Sequence, residues 1–233
     1  MIASYLHNFI FIKTKKTAGT TVEVALAEVC GPDDIVTPLG PHDEMARGHG
    51  KPVCRNFADP VVEQALKAAL LADDAKAYVK ARKQSKFFAH MKASQVKEKL
   101  APDFWSKALK LTVERHPYEK AVSAAYFVYK PRKDPPFEEF FEKFLRAGSY
   151  ASYSYYTIDG EPVVDEILRQ ETLHDDLRRV GAQLGFPVAD ELRRMKTRSR
   201  KDPRPAREIL SDAQKDVIYA VCQKEFELLG YER

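Results

Sequence analysis

The stretch Phe9–Leu26, FIFIKTKKTAGTTVEVAL, constrains this chain more than any other. Its four apolar, β-favouring residues (Phe9, Ile10, Phe11, Ile12) predict a buried strand over 9–13. A polar, basic turn follows through Lys13, Thr14, Lys15 and Lys16 to Thr17-Ala18-Gly19-Thr20-Thr21. A helical pattern then covers 18–29 and stops near Gly31-Pro32. The order is therefore strand, phosphate-sized loop, helix. A helix start presents backbone N–H groups that lack intrahelical acceptors and carries a partial positive charge. Lysines and hydroxyls gathered there make an anion site. An ordinary strand–helix turn with solvated lysines fits the same letters, so a second element has to decide between the two.

The rest of the chain narrows the class. Its 233 residues suffice for one α/β domain over 1–233 with a sizeable core. A hydrophobic content of 44% excludes a disordered chain. The net charge of +4 suits an anionic ligand and does not call for nucleic acid. No run of about 18 apolar residues is present, so no membrane span is expected. The N-terminal residues lack the pattern of a signal peptide. Cys30, Cys54 and Cys222 are odd in number and scattered, which reads as free thiols in a reducing compartment. With no CxxC or HExxH and no clustering of histidines, no metal is expected.

Residues 30–60 hold much of the proline, glycine and histidine, and 60–83 show an amphipathic helical pattern through Val61, Val62, Ala65, Leu66, Ala69 and Leu70. Segment 30–83 thus reads as an irregular and helical insertion and a candidate acceptor-site lid. Lys86–Met91 reads as a short strand ending at His90, and 93–100 as a helix. Leu109–Glu114 alternates like a strand, and Pro117 opens a helix to about Lys130. Phe137–Leu145 is a helix with an aromatic face, Asp159-Gly160 centres a hairpin over 155–164, and 165–184 is helical. Arg193–Arg207 is basic without apolar periodicity, and Ser211 caps the last helix. Strands alternating with helices argue for a parallel sheet.

The second element is ERHPYEKAVSAAYF. Arg115 stands at the carboxyl end of a strand, where open α/β sheets place ligands, and Ser123 lies two turns into the following helix. A guanidinium with a hydroxyl suits a terminal phosphate monoester. Taken singly, Arg115 also reads as a surface ion pair and Ser123 as a small packing residue.

Together the two elements resemble those of sulfotransferases that use 3′-phosphoadenosine 5′-phosphosulfate (PAPS). Lys15-Lys16-Thr17-Ala18-Gly19-Thr20-Thr21 is similar to the family's PKTAGTS/T loop, which holds the 5′-phosphosulfate. Arg115-His116-Pro117-Tyr118-Glu119-Lys120-Ala121-Val122-Ser123 is similar to RxPxxRxxS, which holds the 3′-phosphate. The order, the separation and the late DGEPVVDEILRQETLHDDL segment fit the same pattern, so the resemblance covers most of the chain, most weakly over 30–83. It looks closest to the glycan-type enzymes and their soluble bacterial relatives. Three positions depart from it. Lys15 replaces the usual proline, Lys13 stands where histidine is usual, and Lys120 replaces the conventional arginine, on what reads as the helix surface.

The resemblance implies a P-loop-kinase-like three-layer α/β sandwich with a central parallel sheet. It implies PAPS as co-substrate without a metal, and a hydroxyl-bearing acceptor, most naturally a glycan. A cytoplasmic, bacterial setting goes with it. Lys16 would neutralise the leaving oxygen, while Lys15, Thr17, Ala18, Gly19, Thr20 and Thr21 would surround the 5′-phosphate. Arg115 and Ser123 would hold the 3′-phosphate, and Lys196, Arg198 and Arg200 of the late basic segment would close over the nucleotide. His90 is the first candidate for general base, with His42 and Glu44 as alternatives. A P-loop-type nucleotide kinase is the competing enzyme reading, although GxxxxGK[ST] is absent. A non-catalytic module for anionic polysaccharide is the competing binding reading.

Overall fold

The computed structural model describes residues 1–193, 195, 200 and 202–233. Strand β1 (Ile2–Ser4) turns back into β2 (Phe9–Ile12). Asp34 fastens that turn by accepting from the Ser4 hydroxyl at 2.7 Å and from the Tyr5 and Leu6 N–H groups at 2.6 and 3.1 Å. Next come α1 (Gly19–Val29), β3 (Ile35–Val36) and α2 (Pro41–Arg47). Helices α3 (Pro60–Leu71), α4 (Ala75–Arg82), α5 (Ala93–Lys99) and α6 (Pro102–Lys107) lead to β4 (Leu109–Glu114). After β4 run α7 (Pro117–Val128) and α8 (Phe137–Ala147). The short hairpin β5 (Thr157–Ile158) and β6 (Glu161–Pro162), strand β7 (Glu166–Arg169) and α9 (Leu173–Leu184) follow. Helices α10 (Ala206–Ile209), α11 (Asp212–Val221) and α12 (Gln223–Leu229) end the chain.

The main sheet has the order β3-β1-β2-β4-β7. Pairs β2–β4 and β4–β7 are parallel, whereas β1 runs antiparallel to both of its neighbours. The expected central parallel sheet is therefore mixed, because the β1–β2 turn inserts a reversed strand between β3 and β2. Alternation along β2 makes the layers. Phe9 and Phe11 pack with Val22 and Leu26 of α1 and Leu177 and Val180 of α9. Ile10 and Ile12 pack on the other face with Leu66, Leu70, Tyr78, Val96 and Tyr156. A strand covered on both faces is apolar at every position, as FIFI is. Helices α7, α8, α11 and α12 share a third apolar cluster around Tyr118, Phe141, Ile218 and Phe226.

Several elements differ from the sequence expectation. Residues 60–83 form two helices, because Asp73 takes φ 52° and Asp74 caps α4 through the N–H groups of Lys76 and Ala77. Asp tolerates the left-handed region and caps well. Residues 166–169 form β7 rather than helix. Lys86–Met91 is a turn, not a strand. Both edges of β2 are already taken, and Phe87 and Met91 enter the core from a loop whose Phe87 N–H donates to the Phe57 carbonyl. Segment 30–83 contributes β3 to the sheet and Phe57, Leu66, Leu70 and Tyr78 to the core. Its residues build a layer of the molecule rather than covering it as a lid. The hairpin at Asp159-Gly160, both at positive φ, stands as expected, and Ser211 caps α11, but the last helix expected from there breaks at Cys222 into α11 and α12.

Connectivity fixes where a ligand would enter. From β2 the chain crosses through α1 toward β3 on one side. From β4 it crosses toward β7 on the other, by way of residues 153–164 on the opposite face. The carboxyl ends of β2 and β4 are thus adjacent strand ends from which the connections diverge, the place where open sheets leave a crevice.

Candidate active site

The loop after β2 is pinned from below. The Thr14 hydroxyl donates to the Val113 carbonyl of β4 and lies 2.8 Å from the Thr17 hydroxyl. Thr17 is fully buried, so its hydroxyl braces the loop instead of facing the crevice. Lys16 and Ala18 take φ 60° and 65°. For residues with a Cβ, each such conformation costs roughly 1–2 kcal/mol, a cost the surroundings have to offset. This backbone turns the first residues of α1 toward the strand ends. The first helical bond runs from Val22 N–H to the Ala18 carbonyl at 3.2 Å, and Ala18 supplies no side-chain cap. Among the described residues, no acceptor meets the N–H groups of Gly19, Thr20 and Thr21.

The three lysines of the loop go to different places. Lys15 is exposed, its ammonium 5.4 Å from the Tyr155 ring centroid. The Lys16 ammonium sits 4.0 Å from the centroid of Phe127, an exposed ring of α7. The loop therefore already touches the helix that follows β4. Lys13 turns inward and is buried, bonded to Glu23 of α1 and to the Thr20 hydroxyl at 3.1 Å. Burial raises the Glu23 carboxyl, but Lys13 and its other cationic neighbours outweigh that and hold it well below the usual carboxylate range. A Cβ on Gly19 would stand 2.9 Å from Lys13 Cγ, so this glycine makes room for the buried lysine.

At the end of β4, Arg115 donates to Glu119 one turn into α7 at 3.1 Å. Arg200 donates to the same carboxylate oxygen at 2.5 Å, and the Ala206 N–H donates to the other oxygen at 2.6 Å. The buried Nε atoms of both arginines have no partner among the described residues. Burial acts to raise Glu119, yet the Ala206 N–H and the two guanidiniums hold it below the ordinary carboxylate range. Ser123 is half-buried one turn beyond Glu119, and its hydroxyl makes no hydrogen bond among the described residues. Met195 N–H donates to the Thr21 hydroxyl at 3.2 Å, while Arg200 reaches Glu119. The late segment thus touches both helix starts. Lys196 and Arg198, expected over the nucleotide, lie outside the described residues.

His90 lies on the turn beside the loop, at φ 61°, with Nδ1 3.3 Å from the Lys13 carbonyl. A carbonyl only accepts, so Nδ1 carries the hydrogen and Nε2 keeps its lone pair. Burial and the neighbouring Lys13 charge lower this imidazole to about 4. The alternatives lie in other settings. The His42 side chain is 96% exposed. Glu44 is fully buried, paired with Arg47, and accepts from the N–H groups of Leu39, Val53 and Cys54 at 2.9–3.0 Å. Its lone pairs hold the 37–54 chain path together, which corrects the reading of Glu44 as a base.

Lys120 is also corrected. It is fully buried instead of lying on the helix surface, and it donates to Glu114 at 2.9 Å and to the Ser152 hydroxyl at 2.8 Å, with Glu225 at 3.5 Å. Sequence reasoning missed Glu23, Glu119 and Phe127. Glu119 had a signal, the i,i+4 spacing from Arg115. Glu23 had a weaker one, a carboxylate on the apolar face of α1. His116 caps α7 by accepting from the Tyr118 N–H. Among the described residues there is no group of three or more His, Cys, Asp or Glu side chains placed to hold a metal ion, and no helix long and apolar enough to cross a membrane. No protein-family model, curated protein or solved structure matches this chain.

Proposed function

We propose that this chain transfers the sulfuryl group of PAPS to an acceptor hydroxyl. The observation that carries the reading is the adjacency of its two anion elements. The loop at the start of α1 and Arg115 with Ser123 on α7 follow neighbouring parallel strands, β2 and β4, at the divergence of their connections. A nucleotide with phosphates at both the 5′ and 3′ positions has the two anionic ends such a pair would hold.

In this reading the unclaimed N–H groups of Gly19, Thr20 and Thr21, with the Thr20 and Thr21 hydroxyls and Lys15, surround the 5′-phosphate. Lys16 moves from the Phe127 face to the oxygen bridging sulfur and phosphorus. Arg115, Ser123 and Arg200 receive the 3′-phosphate, with the two guanidiniums divided between it and Glu119. The acceptor oxygen attacks sulfur in line as the bond from sulfur to the bridging oxygen breaks. The acceptor's proton passes to His90 Nε2 and then to solvent, and 3′-phosphoadenosine 5′-phosphate (PAP) departs with the bridging oxygen. The donor's negative charge, close to Lys13, raises the His90 imidazole from about 4 toward the range of a useful base. A carbohydrate hydroxyl is the acceptor class the resemblance favours, and Tyr155 beside His90 and Lys15 offers it a ring face. The three unpaired cysteines suit a reducing, cytoplasmic setting.

The test is ligand-dependent melting followed by turnover. PAP at 100 times its Kd should stabilise the fold by about 2.7 kcal/mol without Mg²⁺. Lys16→Ala should keep the melting point and lose about 10²–10³-fold in PAPS-dependent turnover, the scale of one removed charge-stabilising donor. Stabilisation only by Mg-ATP would replace this reading with a kinase, and stabilisation only by heparin would replace it with a polysaccharide-binding module.

A further inference from the structure

Resting on the reading of α1's N-terminus as the 5′-phosphate site, we infer that Lys13 is a positioning residue. Held by Glu23, it turns the Thr20 hydroxyl outward as a donor to the bound anion. An ammonium has hydrogens and no lone pair, so in the 3.1 Å contact between Lys13 Nζ and Thr20 Oγ1 the threonine oxygen must accept. The single hydroxyl hydrogen of Thr20 is then directed away from Lys13. Thr20 is the second residue of α1, so that hydrogen joins the Gly19, Thr20 and Thr21 N–H groups at the helix start.

Three features fix the arrangement. Side-chain exposure is 5% for Lys13 and 0% for Glu23, so neither rotates freely into solvent. Glu23 lies on α1 three residues after Thr20, which places carboxylate and hydroxyl on one helix face with the ammonium between them. Gly19 supplies the space, since any Cβ there would press on Lys13 Cγ at 2.9 Å and Cε at 3.3 Å. Polarisation runs along the chain from Glu23 through the Lys13 ammonium to the Thr20 hydroxyl and on to the anion. A hydroxyl that already accepts from a cation is the stronger donor. Lys13 therefore acts on the anion through Thr20, unlike the exposed Lys15 of the same loop.

The decisive experiment is a coupling cycle read by calorimetric titration with PAP and, separately, with inorganic pyrophosphate. The variants are Thr20→Val, Thr20→Ser, the charge-neutral pair Lys13→Met/Glu23→Gln, and the triple Lys13→Met/Glu23→Gln/Thr20→Val, each checked by melting. Thr20→Val and the neutral pair should each weaken binding by about tenfold, the worth of one charge-assisted hydrogen bond. The triple should lose no more than about twofold beyond either, because both changes remove the same donor. Thr20→Ser should stay within about threefold of the parent, a rescue that a merely structural role would not produce. Losses that multiply to about 100-fold in the triple, or a neutral pair that binds like the parent, overturn the inference. Should the pair fail to fold, Lys13→Met alone, which leaves Glu23 its ion pair with the Met1 ammonium, enters the same cycle with the same outcomes. A parent protein that binds pyrophosphate but not PAP sinks the nucleotide reading and leaves the pyrophosphate cycle to decide on Lys13. A parent that binds neither removes both.

Discussion

His90 gives a prediction that stands apart from the proposed reaction. Its imidazole lies against the Lys13 carbonyl, and burial together with the Lys13 charge lowers it from 6.5 to about 4. A histidine depressed in the folded state contributes stability that is fully present above its unfolded value, near 6.5, and is lost as pH falls toward 4. Applying the linkage relation to those two values gives a loss of about 2 kcal/mol between pH 7.5 and pH 5, and about 3 kcal/mol once both states are protonated. The perturbation is His90→Asn, since asparagine tolerates the φ of 61° better than other residues do and does not titrate. Urea unfolding of parent and variant at pH 7.5 and pH 5 isolates the contribution, because every other titrating group appears in both proteins. The parent should lose about 2 kcal/mol more than the variant over that interval. Equal losses would refute a half-buried, uncharged His90 and would remove the physical basis for its role as base. In turnover at neutral pH the same variant should fall by about 10²–10⁴, the contribution of a positioned base.

Two further outcomes follow from the buried charges. Lys120→Met leaves Glu114 and Glu225 in the interior without their cation and should cost about 3–5 kcal/mol in urea unfolding, much of it recovered when both glutamates are also made glutamine. Glu119→Gln keeps an acceptor for the Ala206 N–H and removes the charge shared by Arg115 and Arg200. PAP should then bind about fivefold tighter, roughly 1 kcal/mol of lifted competition, with adenosine 5′-phosphate unchanged in calorimetric titration; weaker PAP binding would instead make Glu119 the residue that orients the two guanidiniums.

The parts of the fold legible in the sequence were those with an apolar, alternating or proline-marked pattern of their own. Phe9–Ile12 is an apolar run, Leu109–Glu114 alternates, and Pro117 opens its helix where proline is tolerated. Ile2–Ser4 and Glu166–Arg169 are three- and four-residue strands. So short a segment cannot separate a period of 2 from one of 3.6, and these become strands only because β2 and β4 offer them a hydrogen-bonding edge. Lys86–Met91 failed in the opposite sense, with strand-like letters and no edge left to join. The candidate site divides the same way. Lys15, Lys16, Arg115 and Ser123 stand at chain positions where strand ends place them. The burial of Lys120 was hidden because, besides Glu114 nearby, its partners Ser152 and Glu225 lie 32 and 105 residues away, and no local pattern announces them.

The charge balance of the crevice follows from those hidden partners. Two of the departures from the sulfotransferase pattern, Lys13 and Lys120, end in the same physical state, each buried against glutamate. Neither lysine therefore adds its full charge to the crevice, and among the described residues the positive character on the β2 side rests on Lys15, Lys16 and the α1 start. On the β4 side two guanidiniums share one carboxylate, leaving a net charge of about +1 against a phosphate monoester of about −1.5 to −2. The larger part of donor affinity should then come from the 5′ end, where Thr20 and the α1 N–H groups converge. Discrimination for the 3′-phosphate should be modest and steeply salt-dependent, because the pairs that supply it are only partly buried. Titration with PAP and with adenosine 5′-phosphate at 50 and 300 mM salt measures this. Their affinity ratio should shrink toward unity at high salt in the parent and widen in Glu119→Gln. A ratio indifferent to both salt and Glu119 would mean that the 3′-phosphate is held somewhere other than Arg115.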